Sequence, residues 1–184
     1  MIWRRIALLT VLLASAACHS ERHNHSSATA NSGSESRLER GRYLVSIMDC
    51  SGCHNIGSFS PKPDEGVLQG GTIGHEVPGM GVFYPPNLTP HPDVGIGKWS
   101  EHDIVTAVRT GRRPDGRILS PAMPWRAYSH LTDEDTLALA TYLKSLPPSP
   151  HVVPGPSTKD NAPQPYLTFA PPAKARGQAT PPPQ

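Results

Sequence analysis

Cys50-Ser51-Gly52-Cys53-His54 decides the reading of this chain. Two thiols three residues apart, with a histidine directly after the second, form the spacing by which a haem is attached covalently. The thiols add across the two vinyl groups on one edge of the porphyrin, and the histidine that follows is delivered beneath the ring as an axial iron ligand. Other uses of the same cysteines fit less well. A structural zinc site needs four Cys or His ligands, and the one remaining cysteine, Cys18, lies far upstream in a leader-like segment. A thioredoxin-like pair belongs in a βαβ unit rich in strand signals, which this sequence lacks. A purely structural disulfide gives His54 no reason to be there.

Upstream of the motif, Arg4 and Arg5 precede an apolar run, Ile6 to Leu13, and then Ala14-Ser15-Ala16-Ala17, the layout of a secretory signal over residues 1–17. The run is too short to span a bilayer. Cys18 follows directly, and Leu13-Ala14-Ser15-Ala16-Ala17-Cys18 resembles a bacterial lipoprotein leader, with Ser15 where Leu is commoner. Cys18 is therefore expected to carry a lipid anchor. Residues 18–36, rich in Ser, Asn, Gly and His, read as a solvated flexible tether, with His19, His23 and His25 part of that tether rather than a metal tract.

Composition suits one domain with tails: 184 residues, 22 prolines and 16 glycines. The formal charge of +2 vanishes once Arg4 and Arg5 leave with the leader, which argues against nucleic acid as a partner. Helix signals occur at three places. Ser36-x-x-Glu39 is a capping box opening a helix that runs into Cys50, with Gly41 suggesting a close helix contact. Ser100-x-x-Asp103 opens a second, ended by Gly111, and Thr132-x-x-Asp135 a third, ended by Pro147. No convincing strand pair appears. A haem offers an apolar plate for the Gly- and Pro-rich stretch between residues 57 and 97 to wrap, so residues 37–147 suffice for one domain. The proline-rich residues 148–184 offer no apolar periodicity and are expected to be disordered or extended.

A second axial ligand has to come from elsewhere. Met48 stands too close to the motif on the same helix, and Met80 sits between two glycines that would hold a thioether loosely. Met123 lies in Pro121-Ala122-Met123-Pro124-Trp125, where the prolines restrict the backbone and lower the entropic cost of presenting sulfur to iron. Met123 is thus favoured, with Met80, His75, His91, His102 and His130 as alternatives. Met123 as ordinary core filling is the usual fate of a methionine.

Several further stretches carry a family resemblance: Gly41-Arg42-Tyr43-Leu44, Asn87-Leu88-Thr89-Pro90, Gly95-Ile96-Gly97-Lys98-Trp99-Ser100, Asp103 with Ala107-x-Arg109-x-Gly111, Tyr128, and Tyr142-Leu143-Lys144-Ser145-Leu146-Pro147. With the attachment motif and the Met123 segment, they resemble the class I cytochromes c. Within these they are similar to the haem domains of the cytochrome subunits of bacterial membrane-bound alcohol, aldehyde and gluconate-type dehydrogenases. Those subunits usually carry three such motifs and this chain one. The resemblance implies an all-α class I cytochrome c fold with three main helices and long loops around one covalent haem c. It implies that the first and last helices cross near Gly41 and Tyr142, that His54 and Met123 ligate the iron, and that Trp99 and Arg109 lie near the haem edge or propionates. The expected function is one-electron transfer on the periplasmic side of a bacterial membrane, between redox-protein partners such as a dehydrogenase or an oxidase, without catalysis by the chain itself. The alternative is a haem enzyme or a gas or redox sensor with a vacatable distal ligand.

Overall fold

The computed structural model describes residues 21–163 and 165–168, with side chains from residue 33 onward. The leader, Cys18 and residues 169–184 lie outside the described residues. The chain divides into two units, Met1–Ser36 and Arg37–Gln184. Helix α1 is Glu21–Ile47, and from residue 37 it belongs to the second unit. Residues 21–36, within the stretch expected to be a flexible tether, are helical. Nor does Ser36 open the helix: its hydroxyl donates to Gly33 O one turn back, at 2.9 Å. Extending an existing helix is far easier than nucleating one, so polar residues with weak propensity can prolong it.

The second unit is built on helix crossings around the attachment motif. Leu44 and Val45 of α1 are buried. A Cβ at Gly41 would overlap Ala138 O and stand 2.6 Å from Tyr142 Cβ, so only glycine lets α1 approach α5 (Asp133–Ser145) this closely. Helix α3 (Glu101–Thr110) begins with a complete capping box between Ser100 and Asp103 and ends at Gly111 in the left-handed conformation, φ 73°. In α5, Thr132 caps the Asp135 N–H at 3.1 Å. Ile104 and Val108 of α3 join Leu139, Ala140 and Leu143 of α5 in the core. The short helices α2 (Cys50–His54) and α4 (Trp125–Tyr128) complete the helical set among the described residues.

Strands are also present, so the fold is not purely helical. Strand β1 (Gly74–Val77) pairs antiparallel with β2 (Gly81–Phe83), His75 opposite Phe83, and β3 (Tyr166–Leu167) lies parallel on the other side of β1. These strands are two to four residues long and rich in glycine, below the length at which alternation can be read from sequence.

Residues 149–168, part of the stretch expected to be disordered or extended, run against the domain. Ser149 is buried. Val82 and Ser157 exchange backbone hydrogen bonds at 2.8 and 3.0 Å, the Gly74 N–H donates to Pro165 O at 3.1 Å, and the Tyr84 hydroxyl donates to Pro163 O. This segment is held by backbone groups and single side chains rather than by an amphipathic face, and composition carries no trace of that kind of packing.

Candidate functional site

Helix α2 presents Cys50 and Cys53 one turn apart, both as free thiols. Burial, reinforced by the nearby Asp49 carboxylate, pushes the Cys50 thiol up to about 12 and raises Cys53 in the same direction. Thiols kept protonated in this way are unlike the low-pKa cysteines of thiol–disulfide exchange. A pair of neutral thiols beside an apolar cavity suits addition to a vinyl group.

His54 is 7% exposed, and its Nδ1 lies 2.8 Å from Pro86 O. A carbonyl can only accept, so Nδ1 carries the proton and Nε2 keeps its lone pair. Burial holds the ring in its neutral form, against the opposing pull of that carbonyl. A ring fixed by an outer hydrogen bond at one nitrogen, with the other free, is the usual state of a metal-ligating histidine. The surrounding loop is fixed by Asn55, 1% exposed, whose Oδ1 accepts from Leu68 N at 2.8 Å and whose Nδ2 donates to Pro63 O at 2.9 Å.

These side chains border a cavity of about 350 Å³ whose lining is mainly apolar. Cys50, Cys53 and His54 line it, as do Trp99 and Met123. Met123 is partly buried, in a tight turn where its N–H donates to Ser120 O at 3.0 Å and its carbonyl accepts from Trp125 N at 2.8 Å. Met80 is 58% exposed and does not border the cavity, whereas Met48 does. Trp99 is positioned from α5, since Lys144 Nζ donates to Trp99 O and Gly97 O, each at 2.8 Å.

Arg109 is placed elsewhere: it pairs with Asp133 and is not part of the lining. Arg113 and Arg117 line the cavity, and the Arg113 guanidinium stands 5.2 Å over the Trp99 ring. Arg113 Nε is ion-paired with Asp115 Oδ2 at 3.3 Å, and the buried His75 Nε2, also at the cavity, has no hydrogen-bonded partner. An apolar slot with protonated thiols along one edge, a neutral imidazole and two arginines at its border fits a flat hydrophobic group bearing anionic substituents. That is the character of haem, and Cys50, Cys53, His54, Met123, Trp99 and Arg113 are the residues placed to hold it.

Sequence reasoning missed Arg113 and the hydroxyl of Tyr128, which donates to Met48 O at 3.0 Å and closes the cavity near the thiols, while His75, one of the alternative ligands, does border the cavity. Burial and the two cysteines push the Tyr128 phenol up to about 12. Arg113 follows the helix-ending Gly111 by two residues, a loop position at which sequence offers no signal for direction.

Comparison with known proteins agrees with this geometry. Residues 38–147 match the family model described as Cytochrome c. The chain is 34% identical over 160 residues to the fructose dehydrogenase cytochrome subunit of Gluconobacter japonicus, covering 87% of this chain and 30% of that protein. To the cytochrome c subunit of the quinone-type alcohol dehydrogenase of Gluconobacter oxydans it is 33% identical over 115 residues, covering 62% of this chain and 22% of that protein. The gluconate 2-dehydrogenase cytochrome c subunit of Pantoea cypripedii is 37% identical over 105 residues, 57% of this chain and 22% of that one. The chain thus spans less than a third of the length of these relatives. With the family model covering more than half of its residues and including the attachment motif, the chain belongs to the cytochrome c family.

Proposed function

We propose that this chain is a one-electron carrier with one haem c attached through Cys50 and Cys53 and ligated by His54 and Met123. The observation that carries this reading is the meeting of the attachment motif and Met123 on one apolar cavity, while Met80 stands outside it. When bound, haem supplies a one-electron iron couple, and a thioether ligand favours the reduced state. His54 would contribute a neutral, carbonyl-anchored imidazole, and Met123 would supply a thioether that keeps small molecules from the metal. Trp99 and Arg113 cover the polar edge, a role for which the sequence favoured Trp99 and Arg109.

Cys18 anchors the mature chain by lipid on the periplasmic side of the membrane, a reading supported by the small residues before it. Its partners are a redox-protein donor and acceptor. The names of the relatives, cytochrome subunits of fructose, alcohol and gluconate dehydrogenases, favour a dehydrogenase as donor.

The test replaces each candidate sulfur. Met123→Ala should abolish the weak sulfur-to-iron charge-transfer band of the ferric protein and let the ferrous protein bind carbon monoxide, while Met80→Ala does neither. Rapid carbon monoxide binding by the wild type would instead support the open-site enzyme or sensor, and loss of the band in Met80→Ala would move the ligand assignment to Met80.

A further inference from the structure

The segment that follows the family domain touches both loops that hold His54. His54 has two partners outside its own helix: Nδ1 meets Pro86 O at 2.8 Å, and its backbone carbonyl accepts from Gly70 N at 2.7 Å. Next to Pro86, the side chain of Asn87 donates from Nδ2 to Ser149 O at 2.9 Å and to His151 O at 3.1 Å. Asn87 Oδ1 accepts from Thr89 N and Thr89 Oγ1 at 2.9 and 2.7 Å, and that same Oγ1 accepts from Ser149 N at 3.0 Å. Next to Gly70, Gln69 Oε1 accepts from the Ser149 hydroxyl at 2.8 Å. Gly70 itself leaves room for Val153, whose Cγ2 occupies the space a Cβ there would need. Asn87 and Thr89 are 1% and 2% exposed, and the hydrogen bonds between them and to Ser149 are buried, while those to His151 O and Gln69 are partly buried.

Residues 149–153 lie beyond the matched 38–147, yet the hydrogen bonds that tie them to the domain here end on Gln69, Asn87 and Thr89, each adjoining a His54 partner or a few residues from it. A largely buried network closed on itself fixes the position of the Pro86 carbonyl far better than a Gly- and Pro-rich loop alone. We propose that residues 149–153, through Asn87 and Thr89, are a positioning clamp that sets the Pro86 carbonyl against His54 and thereby the basicity of that imidazole toward the iron. The proposal rests on His54 as an axial ligand. A well-placed carbonyl draws on the Nδ1 proton, enriches Nε2 and favours the ferric state, so a slack clamp raises the reduction potential.

The test uses the full-length, haem-loaded protein and reads the reduction potential, the solvent exchange of the His54 Nδ1 proton by nuclear magnetic resonance, and the melting midpoint. Thr89→Val keeps the volume while removing the acceptor for Ser149 N and a donor to Asn87. It should raise the potential and speed the Nδ1 exchange about tenfold or more, as expected when local opening becomes easier. Asn87→Leu, which cuts both bonds to the segment, should move both readings further; if it fails to mature, Thr89→Val carries the test. Ser157→Pro removes the donor to Val82 O further along the same segment. It should lower the melting midpoint and leave potential and exchange unmoved. A Thr89→Val protein with lower melting but unchanged potential and exchange would overturn the clamp and leave a merely structural contact. Ring resonances of His54 shifted by the paramagnetic iron in the wild type establish ligation independently. Their absence would overturn the ligand assignment and the clamp with it, whereas their presence with unmoved readings would overturn the clamp alone.

Discussion

His54 and Met123 border the same cavity but stand in walls of different construction. The His54 wall is deep: the imidazole, Asn55, Asn87 and Thr89 are each below a tenth exposed, and apart from His54 Nε2 their side-chain polar atoms are hydrogen-bonded within the protein. The Met123 wall is a surface turn whose neighbours Pro121, Ala122 and Pro124 are exposed and whose shape comes from local backbone hydrogen bonds. Between them lies α3, whose Ile104, Ala107 and Val108 line the cavity floor. The contrast teaches where rigidity is placed. One ligand candidate is fixed by a buried network that is costly to disturb, and the other by restricted torsions that cost little to vary.

Removing a buried anchor from the first wall should have the largest effect. Asn55→Ala leaves Leu68 N and Pro63 O without partners, each costing about 1–3 kcal/mol, so chemical denaturation should show a much lower midpoint. If Asn55→Ala unfolds like the wild type, the His54 wall is not rigid in the sense argued here.

The floor should respond less. Ser100→Ala removes the cap of α3 and should cost about 1 kcal/mol. Its effect depends on pH with a definite sign. Hydrogen bonds from Ser100 hold the Asp103 carboxylate below its ordinary range, so the bonus is full above the unfolded value near 4 and fades as pH falls through the folded one. Thermal melts should therefore show wild type and Ser100→Ala converging in acid. A gap that widens there would contradict the capping-box account.

The second wall should yield least. Pro121→Ala in an exposed turn should change stability by about 0.4–1 kcal/mol, mainly by loosening the unfolded chain. The same change should make carbon monoxide capture by the ferrous protein faster than in wild type, because a less restricted turn releases sulfur more readily. A large stability loss without faster capture would erase the distinction between the walls.

How much of this was legible in sequence follows the same division of forces. Helices α3 and α5 announced themselves because caps and stops are local: Ser100, Gly111 and Thr132 act on backbone within a few residues. Gly41 was legible as an oddity in a helix, and its explanation lies in Ala138 and Tyr142. The attachment motif was legible because covalent chemistry fixes spacing, and Met123 stood out through its flanking prolines. Arg113, in place of Arg109, was not legible, since the direction of a side chain after a helix-ending glycine depends on the loop and not on the helix. The role of residues 149–168 was hidden for a related reason. Their attachment runs through backbone carbonyls and N–H groups of Ser149, His151 and Ser157, which any sequence supplies. The start of α1 was misplaced because Ser36-x-x-Glu39 satisfies the pattern of a cap while the helix passes through it.

The account stands most directly on covalent attachment at Cys50 and Cys53. The mature protein should be denatured in acid and acetone, and the haem left on the chain measured by absorbance, alongside Cys50→Ala, Cys53→Ala and the double variant. Wild type should keep its haem on the polypeptide, each single variant should keep it by one remaining bond or accumulate less of it, and the double variant should release whatever it holds. Haem extracted freely from the wild type would contradict the central claim.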